Sequence, residues 1–458
     1  MWSLAPAYIG LFLWVVFFDQ LPAETLARGS LAWAVFGCAA GGALAYLLFF
    51  LPLATWGVTA RRPVSVIASR TFGLAGAGWV PLLLLMLIQV VWLAVAVRYG
   101  TQLLLAGLTQ IRLLDSDWIQ PSRSRGMTWP RPLFAVTALV WMGFISMAGR
   151  YLVRVIAALM NVYPAVVALI VGGATLMAIP ALRGTATARP MLGMAVDSSL
   201  PAAAAAVVAV QMILGFFATA GLLAADWGSV CRDRSEVRRG GLVCVAMASA
   251  IIATLAILTV TGWRARGGAG SAPGLAANSF CSVLPPLFGP WIGGALLIAL
   301  GLAALAPGCY AAFLIGSRMH ELYPGFPRTR WTWIGAGLAW VLVMLSEGVT
   351  LFAVFSVVGA LVAPAAGAMS ADFLRSGGRW PGPRAGANRA GLIAWMIGVV
   401  VGLTPLLADL VGGTALRFRQ PAVLLAYLAA GFAYYLLAAL GAESPTEPDL
   451  IPVAEPLV

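Results

Sequence analysis

An all-α integral membrane protein, a bundle of twelve transmembrane helices, is the fold class this sequence predicts, on three observations. The mean hydropathy is +0.94. Of the 458 residues, 61% are hydrophobic and only 10% charged, outside the range of soluble domains. Apolar runs of about 20 residues, the length that crosses the hydrocarbon of a bilayer, recur from end to end and leave no stretch for a soluble domain. They lie at about 4–27, 31–58, 75–107, 132–149, 153–179, 201–227, 242–262, 289–316, 331–346, 350–373, 390–411 and 420–441.

The first run begins almost at the start of the chain, with no basic segment before it and no small-residue cleavage site, so it is expected to be a retained helix. Pro22 lacks an amide hydrogen and its ring presses on the carbonyl of Phe18, which disturbs the turn carrying Asp19 and Gln20. The basic residues are all arginine. With the N-terminus inside and loops alternating, sixteen arginines fall in inner loops and twelve outside, a modest bias in the direction that orients membrane proteins. The net charge of +12 is therefore read as helix ends anchored near lipid headgroups rather than as a nucleic-acid surface.

The third run, LLLMLIQVVWLAVAV at 83–97, places Gln89 and Trp92 near the bilayer midplane, three residues apart on one helical face. An amide buried without partners costs roughly 2–7 kcal/mol, so Gln89 must meet protein, water or a ligand. Two readings stand at this point. In one, the carboxamide pairs with the edge of a heterocycle while Trp92 offers a flat stacking face. In the other, Gln89 bonds a neighbouring helix beside a packing tryptophan.

In the sixth run Gly215 and Gly221 bracket Phe216, Phe217 and Thr219 in a stretch of weak helical preference, and in the eighth Pro307 and Gly308 fall near the middle. Interruptions at membrane depth survive only against protein or a water-filled cavity. If the first ten runs form two halves of five, the first and sixth correspond, and so do the third and eighth. Interrupted helices at matching positions in two halves point to a midplane site in secondary transporters. The domain expected is a single unit, 1–441, with repeats at about 1–180 and 200–373 and two extra helices at about 390–441; the acidic, proline-rich segment 442–458 is expected to be a disordered cytoplasmic tail.

Rival classes find little support. Asp115 and Asp117 beside Arg123 and Arg125 suggest a metal-dependent membrane transferase, but two acids make a poor cation site and a solvated loop explains them. His320 is the only histidine, the five cysteines form no CxxC pattern, and no metal or nucleophile constellation emerges. A channel would want a pore-lining ring of charge, and none is seen.

Three segments bear a family resemblance. ASRTFGLAGAGWVPLLLLMLIQVVWLAVAV (68–97) resembles the second inner loop and third span of bacterial cytosine permeases, members of the nucleobase:cation symporter family one. FFATAGLLAADW (216–227) is similar to their sixth span and APAAGAMSADFL (363–374) to their tenth, in the same order along the chain. The resemblance implies the five-plus-five inverted repeat of a leucine-transporter-like fold with two extra helices. It implies that Trp92 and Phe217 sandwich a nucleobase, that Gln89 bonds its edge and that Thr219 lies at a substrate-contacting position. For Asp226 and Asp372, at inner helix ends, it implies a structural role.

The departures from the family matter too. GLAALAPGCYAAF (301–313) lacks the asparagine and the hydroxyl pair of the permeases' eighth span, so a family-type sodium site is not expected. Asp19, by contrast, has no family counterpart, and an intramembrane carboxyl is a candidate proton carrier. The coupling ion is left as proton or sodium, with no covalent cofactor and no bound metal. The expected function is a secondary active transporter importing a nucleobase such as cytosine, or a related small nitrogen heterocycle, by alternating access coupled to a cation. The alternative is a multi-span membrane enzyme or a non-transporting relative. The partners expected are the small-molecule substrate and the lipid bilayer, in a bacterial inner membrane with both termini cytoplasmic.

Overall fold

The structure is a computed structural model that describes residues 18, 21, 22, 25, 30–115, 122–124, 127–129, 132–151, 153–182, 203–266, 280–345, 351–411 and 421–448. Its helices are α1 (Leu31–Leu44), α2 (Leu51–Ala60), α3 (Val64–Ala77), α4 (Leu84–Gln110), α5 (Pro132–Tyr151), α6 (Val153–Ala178), α7 (Ala204–Ser229), α8 (Arg234–Gly241), α9 (Ala248–Ala265), α10 (Phe280–Phe288), α11 (Pro290–Ala303), α12 (Leu305–Leu322), α13 (Arg328–Leu345), α14 (Leu351–Arg375), α15 (Arg389–Val411) and α16 (Ala422–Ala439). A short antiparallel hairpin, β1 (Ser122–Ser124) with β2 (Met127–Trp129), lies between α4 and α5.

Among the described residues ten segments are long and apolar enough to cross a membrane. The protein is a multi-pass membrane protein. Of the twelve runs, the first falls mostly outside the described residues, and Asp19 with it. The run at 331–346 forms α13, which is not among the ten.

Local chemistry starts and stops these helices where it can be read. Ser30 caps α1 by accepting from the amide of Trp33 at 3.4 Å. α2 ends on Arg61 in the left-handed region, its amide bonded to the Gly57 carbonyl, and Pro63 restarts the chain into α3. Asp233 caps α8 by accepting from the Glu236 amide, and the Glu236 carboxylate accepts in return from the Arg232 amide.

The expected interruption of the sixth span does not occur: α7 is one continuous helix from Ala204 to Ser229. Its glycines serve close approach instead. A Cβ built on Gly215 would lie 2.7 Å from the Phe355 carbonyl oxygen, and one on Gly228 2.0 Å from that of Ala54. Small residues bring membrane helices into van der Waals contact where no hydrophobic force drives them together, and α7 is buried against α1, α2 and α14 in this way. The eighth span does break, between α11 and α12 at Ala304, three residues before Pro307. Pro307 thereby sits in the first turn of α12, where its missing amide leaves no bond unmade.

The tail also differs from expectation. Residues 443–447 are not disordered: Glu443 bonds Tyr434 and Arg384, and Thr446 forms a β-bridge with Arg384. Composition predicted solvation, but Arg375 at the end of α14 and the buried Arg384 in the loop before α15 supply the partners of Glu443.

Candidate substrate site in the bundle core

Gln89 and Trp92 lie on α4 and face inward, both buried. The Trp92 indole Nε1 donates to Thr219 Oγ1 at 3.2 Å, which joins α4 to α7. Around the indole stand two phenylalanines. Phe216 meets it edge-on, centroids 5.2 Å apart at 74°, and Phe355 from α14 lies against it at 5.6 Å and 33°. Phe216 and Phe355 also meet edge to face at 5.9 Å. Phe217 reaches this cluster through Phe216, at 5.2 Å. Offset and edge-on geometries are the ones aromatic quadrupoles favour.

The glycines of α7 and α14 make this convergence possible. A Cβ on Gly359 would lie 3.1 Å from the Gly215 Cα, so the two helices cross at a glycine pair one turn from the rings. The cluster is therefore a junction of three helices near the middle of the apolar run 75–107.

Gln89 is fully buried, and neither its Nε2 nor its Oε1 has a hydrogen-bond partner among the described residues. The contrast with Gln211 is direct. That glutamine, also buried and on α7, accepts from the Val423 amide at 3.0 Å and donates to Ser356 Oγ at 3.5 Å, so it caps α16. Buried amides in this bundle find partners where packing is their purpose; Gln89 does not. An unsatisfied buried amide costs about 1–3 kcal/mol, and this one carries two donors and an acceptor about one helical turn from Trp92. All of these groups are neutral, which suits an uncharged planar solute.

Of the residues read from the sequence, Gln89, Trp92, Phe217 and Thr219 converge on one region, with Thr219 held by Trp92. The sequence reading passed over Phe216 and Phe355 as binding groups. Phe216 is adjacent to Phe217 in the chain. Phe355 is one aromatic in an apolar span, and only the packing of α14 on α4 and α7 marks it out.

One end of the same helices carries the charged groups. Asp226, at the end of α7, accepts from the Val64 amide at the start of α3 at 2.7 Å and pairs with Arg318 of α12. Arg318 also bonds Glu321 at 2.9 Å. Trp227 Nε1 donates to Tyr310 OH at 3.2 Å, a second tie between α7 and α12. Asp372 accepts from Thr71 Oγ1 at 3.0 Å, buried near Arg70 and Arg384. Asp226 thus bonds the start of α3, and Asp372 a threonine in the middle of the same helix. Among the described residues no group of three or more His, Cys, Asp or Glu comes together to hold a metal. Asp115 is exposed, and Asp117 lies outside the described residues.

Comparison with solved structures identifies the architecture. The chain superposes on MHP1, a nucleobase-cation-symport-1 family transporter in a closed conformation with bromovinylhydantoin bound, with a TM-score of 0.67 at 14% identity, over 96% of this chain and 92% of that one. The fold is the one that transporter has. An inward-facing conformation of the same transporter gives a TM-score of 0.64 at 14% identity, over 95% of this chain and 90% of that one. A sodium-coupled sialic acid symporter, in a substrate-bound outward-open state, gives 0.58 at 14% identity, over 97% of this chain and 91% of that one. No protein-family profile matches the chain, and no curated protein matches it by sequence. At these identities the likeness establishes the leucine-transporter-type fold, over almost the whole length of each chain.

Proposed function

We propose that this protein is a secondary active transporter that imports a small, uncharged, planar nitrogen heterocycle, a nucleobase such as cytosine or a close relative, by alternating access coupled to a cation. The observation that carries this reading is the fully buried carboxamide of Gln89, which has no hydrogen-bond partner among the described residues and stands one turn from Trp92. A ligand edge with matching donors and acceptors satisfies it, and Trp92 with the phenylalanines supplies the apolar walls. The symporter fold supports the same reading, and one neighbour with that fold holds a hydantoin. Phe217 and Thr219 complete the proposed site, with Thr219 acting through its hydrogen bond from Trp92.

Asp19 is the proposed proton carrier, argued from its sequence position alone. In this reading the first span and α7 rock against the remaining helices, and the protein resides in a bacterial inner membrane with both termini cytoplasmic. The inner bonds of Asp226 are then made and broken in each cycle.

Uptake of a labelled nucleobase panel into proteoliposomes tests the proposal, with wild type and Gln89→Ala compared under separately imposed proton and sodium gradients. Uptake of one base, driven by one gradient and lost in the variant, is the expected result. Uptake that survives Gln89→Ala unchanged removes the carboxamide from the site, and an absence of uptake for every base and related heterocycle removes the substrate class. Asp19→Asn is expected to abolish the pH dependence of uptake; an unaltered pH profile rules Asp19 out as carrier.

A further inference from the structure

The inner helix α3 is broken at Gly73, where φ is +80° and ψ 163°. Glycine alone enters this region without strain, and a Cβ here would also lie 2.4 Å from the Gly386 carbonyl oxygen. A broken helix leaves amides and carbonyls that must find other partners. Loop 383–388, between α14 and α15, supplies them. The Arg384 amide donates to the Ser69 carbonyl at 3.1 Å and the Asn388 amide to that of Phe72 at 2.8 Å. Asn388 Nδ2 donates to the Thr71 carbonyl at 2.7 Å. In return, the amides of Leu74 and Ala75 donate to the carbonyls of Arg384 and Gly386, at 3.0 and 2.8 Å.

The opposite edge of that loop is held by the C-terminal segment. The Ala385 amide donates to the Pro445 carbonyl at 3.0 Å, and the Glu447 amide to that of Pro383 at 2.9 Å. The Ser444 amide donates to Asn388 Oδ1 at 3.1 Å. Charge fixes the same layer. Arg384, 2% exposed, pairs with Glu443 at 2.6 Å and approaches Asp372 at 3.8 Å. Arg70, beside the kink, donates to Thr446 Oγ1 at 2.6 Å, and Tyr434 OH donates to Glu443.

We infer that residues 443–447 are a strap that fixes the α3 kink, and with it the angle at which the site-bearing helix α4 leaves the inner surface. The path is continuous: tail, loop 383–388, the kink at Gly73, the π-helical turn Gly78–Leu83, then α4 with Gln89 and Trp92. Asp372, the other carboxylate that Arg384 meets, is shared with Arg70. Loss of the Glu443 carboxylate therefore leaves Arg384, among the described residues, with that shared ion-pair partner alone. α7, on the other side of the site, has no bond to the strap among those described. The device stands on backbone and ion-pair geometry, and it goes beyond the transport reading without depending on it.

Hydrogen–deuterium exchange of the full-length protein in nanodiscs tests this, with wild type compared against Glu443→Gln and Glu447→Pro. The first variant removes the charge that pairs with Arg384, and the second removes the amide that bonds Pro383. Exchange in segments 69–75 and 383–388 should rise by about tenfold or more, as expected for a local opening, while segment 204–229 keeps its wild-type protection. If the tail exchanges faster but 69–75 does not, the strap does not reach the kink and the inference fails. It fails equally if all helices lose protection together, because the segment then supports the whole fold rather than one joint. Should Glu447→Pro not fold, Glu443→Gln alone decides between these outcomes.

Discussion

Trp92 on α4 and Thr219 on α7 are joined by an indole-to-hydroxyl hydrogen bond of 3.2 Å in the buried middle of the bundle, between residues 127 positions apart in the chain. The bond sets the plane of the indole and so the orientation of the face it presents to Phe355.

Thr219→Val keeps the shape of the side chain but removes the acceptor. The buried indole N–H then lacks this partner, at a cost of about 1–3 kcal/mol. Heterocycle binding, measured by isothermal calorimetry on purified protein, is expected to weaken by about tenfold or more, the affinity equivalent of 1.4 kcal/mol. Thr219→Ser, which restores the hydroxyl, is expected to recover most of it.

Gln89→Leu separates binding from stability. A residue kept for packing destabilises the protein when replaced; an unsatisfied amide kept for a ligand does the reverse, because the apolar side chain leaves no buried donor or acceptor without a partner. The ligand-free variant is expected to melt at the same temperature as wild type or higher, and to lose heterocycle binding. A lower melting temperature would falsify the assignment of Gln89 as an unpartnered group. Gln211→Leu is the internal control, since loss of its bonds to Val423 and Ser356 should lower stability.

Asp226 makes two kinds of bond, and two substitutions tell them apart. Asp226→Asn keeps an oxygen for the Val64 amide and loses the ion pair with Arg318, whereas Asp226→Ala loses both. Removal of one partner from a largely buried pair costs about 3–5 kcal/mol, and loss of a helix cap a further ~1 kcal/mol. Thermal unfolding should rank the proteins wild type, Asn variant, Ala variant in falling order. Equal stability of the two variants would show that the cap contributes nothing.

Glycines of the same type have opposite expected tolerance. A Cβ on Gly228 would lie 2.0 Å from the Ala54 carbonyl oxygen, whereas one on Gly172 of α6 has nothing within 4 Å. Gly228→Ala forces α7 away from α2 and is expected to reduce the yield of folded protein severalfold on size-exclusion chromatography, with Gly172→Ala indistinguishable from wild type. The test is clean because neither residue touches the aromatic cluster.

Much of the fold was legible in the sequence because burial in a bilayer leaves a coarse signature: every span must be long and apolar, whatever it packs against. The same coarseness explains what was misread. Gly215 and Gly221 looked like breaks because low helix propensity and close packing draw on the same residue, and only the approach of Phe355 and Phe49 shows which applies. The segment after Ala442 looked solvated because its composition is acidic and proline-rich, yet Arg384 and Arg375 give its carboxylate a partner.

By itself, then, the sequence determined that the chain spans a membrane many times, and that Gln89 and Trp92 stand on one face at mid-depth. Helical periodicity fixes the relation between residues three apart, and hydropathy fixes depth. Only the tertiary structure decided that Trp92 bonds Thr219, that Phe216 and Phe355 wall the cluster, and that, among the described residues, Gln89 has no partner while Gln211 has two. Those relations join residues far apart in the chain, and they depend on crossings set by glycines such as Gly215 and Gly359, which no local pattern encodes.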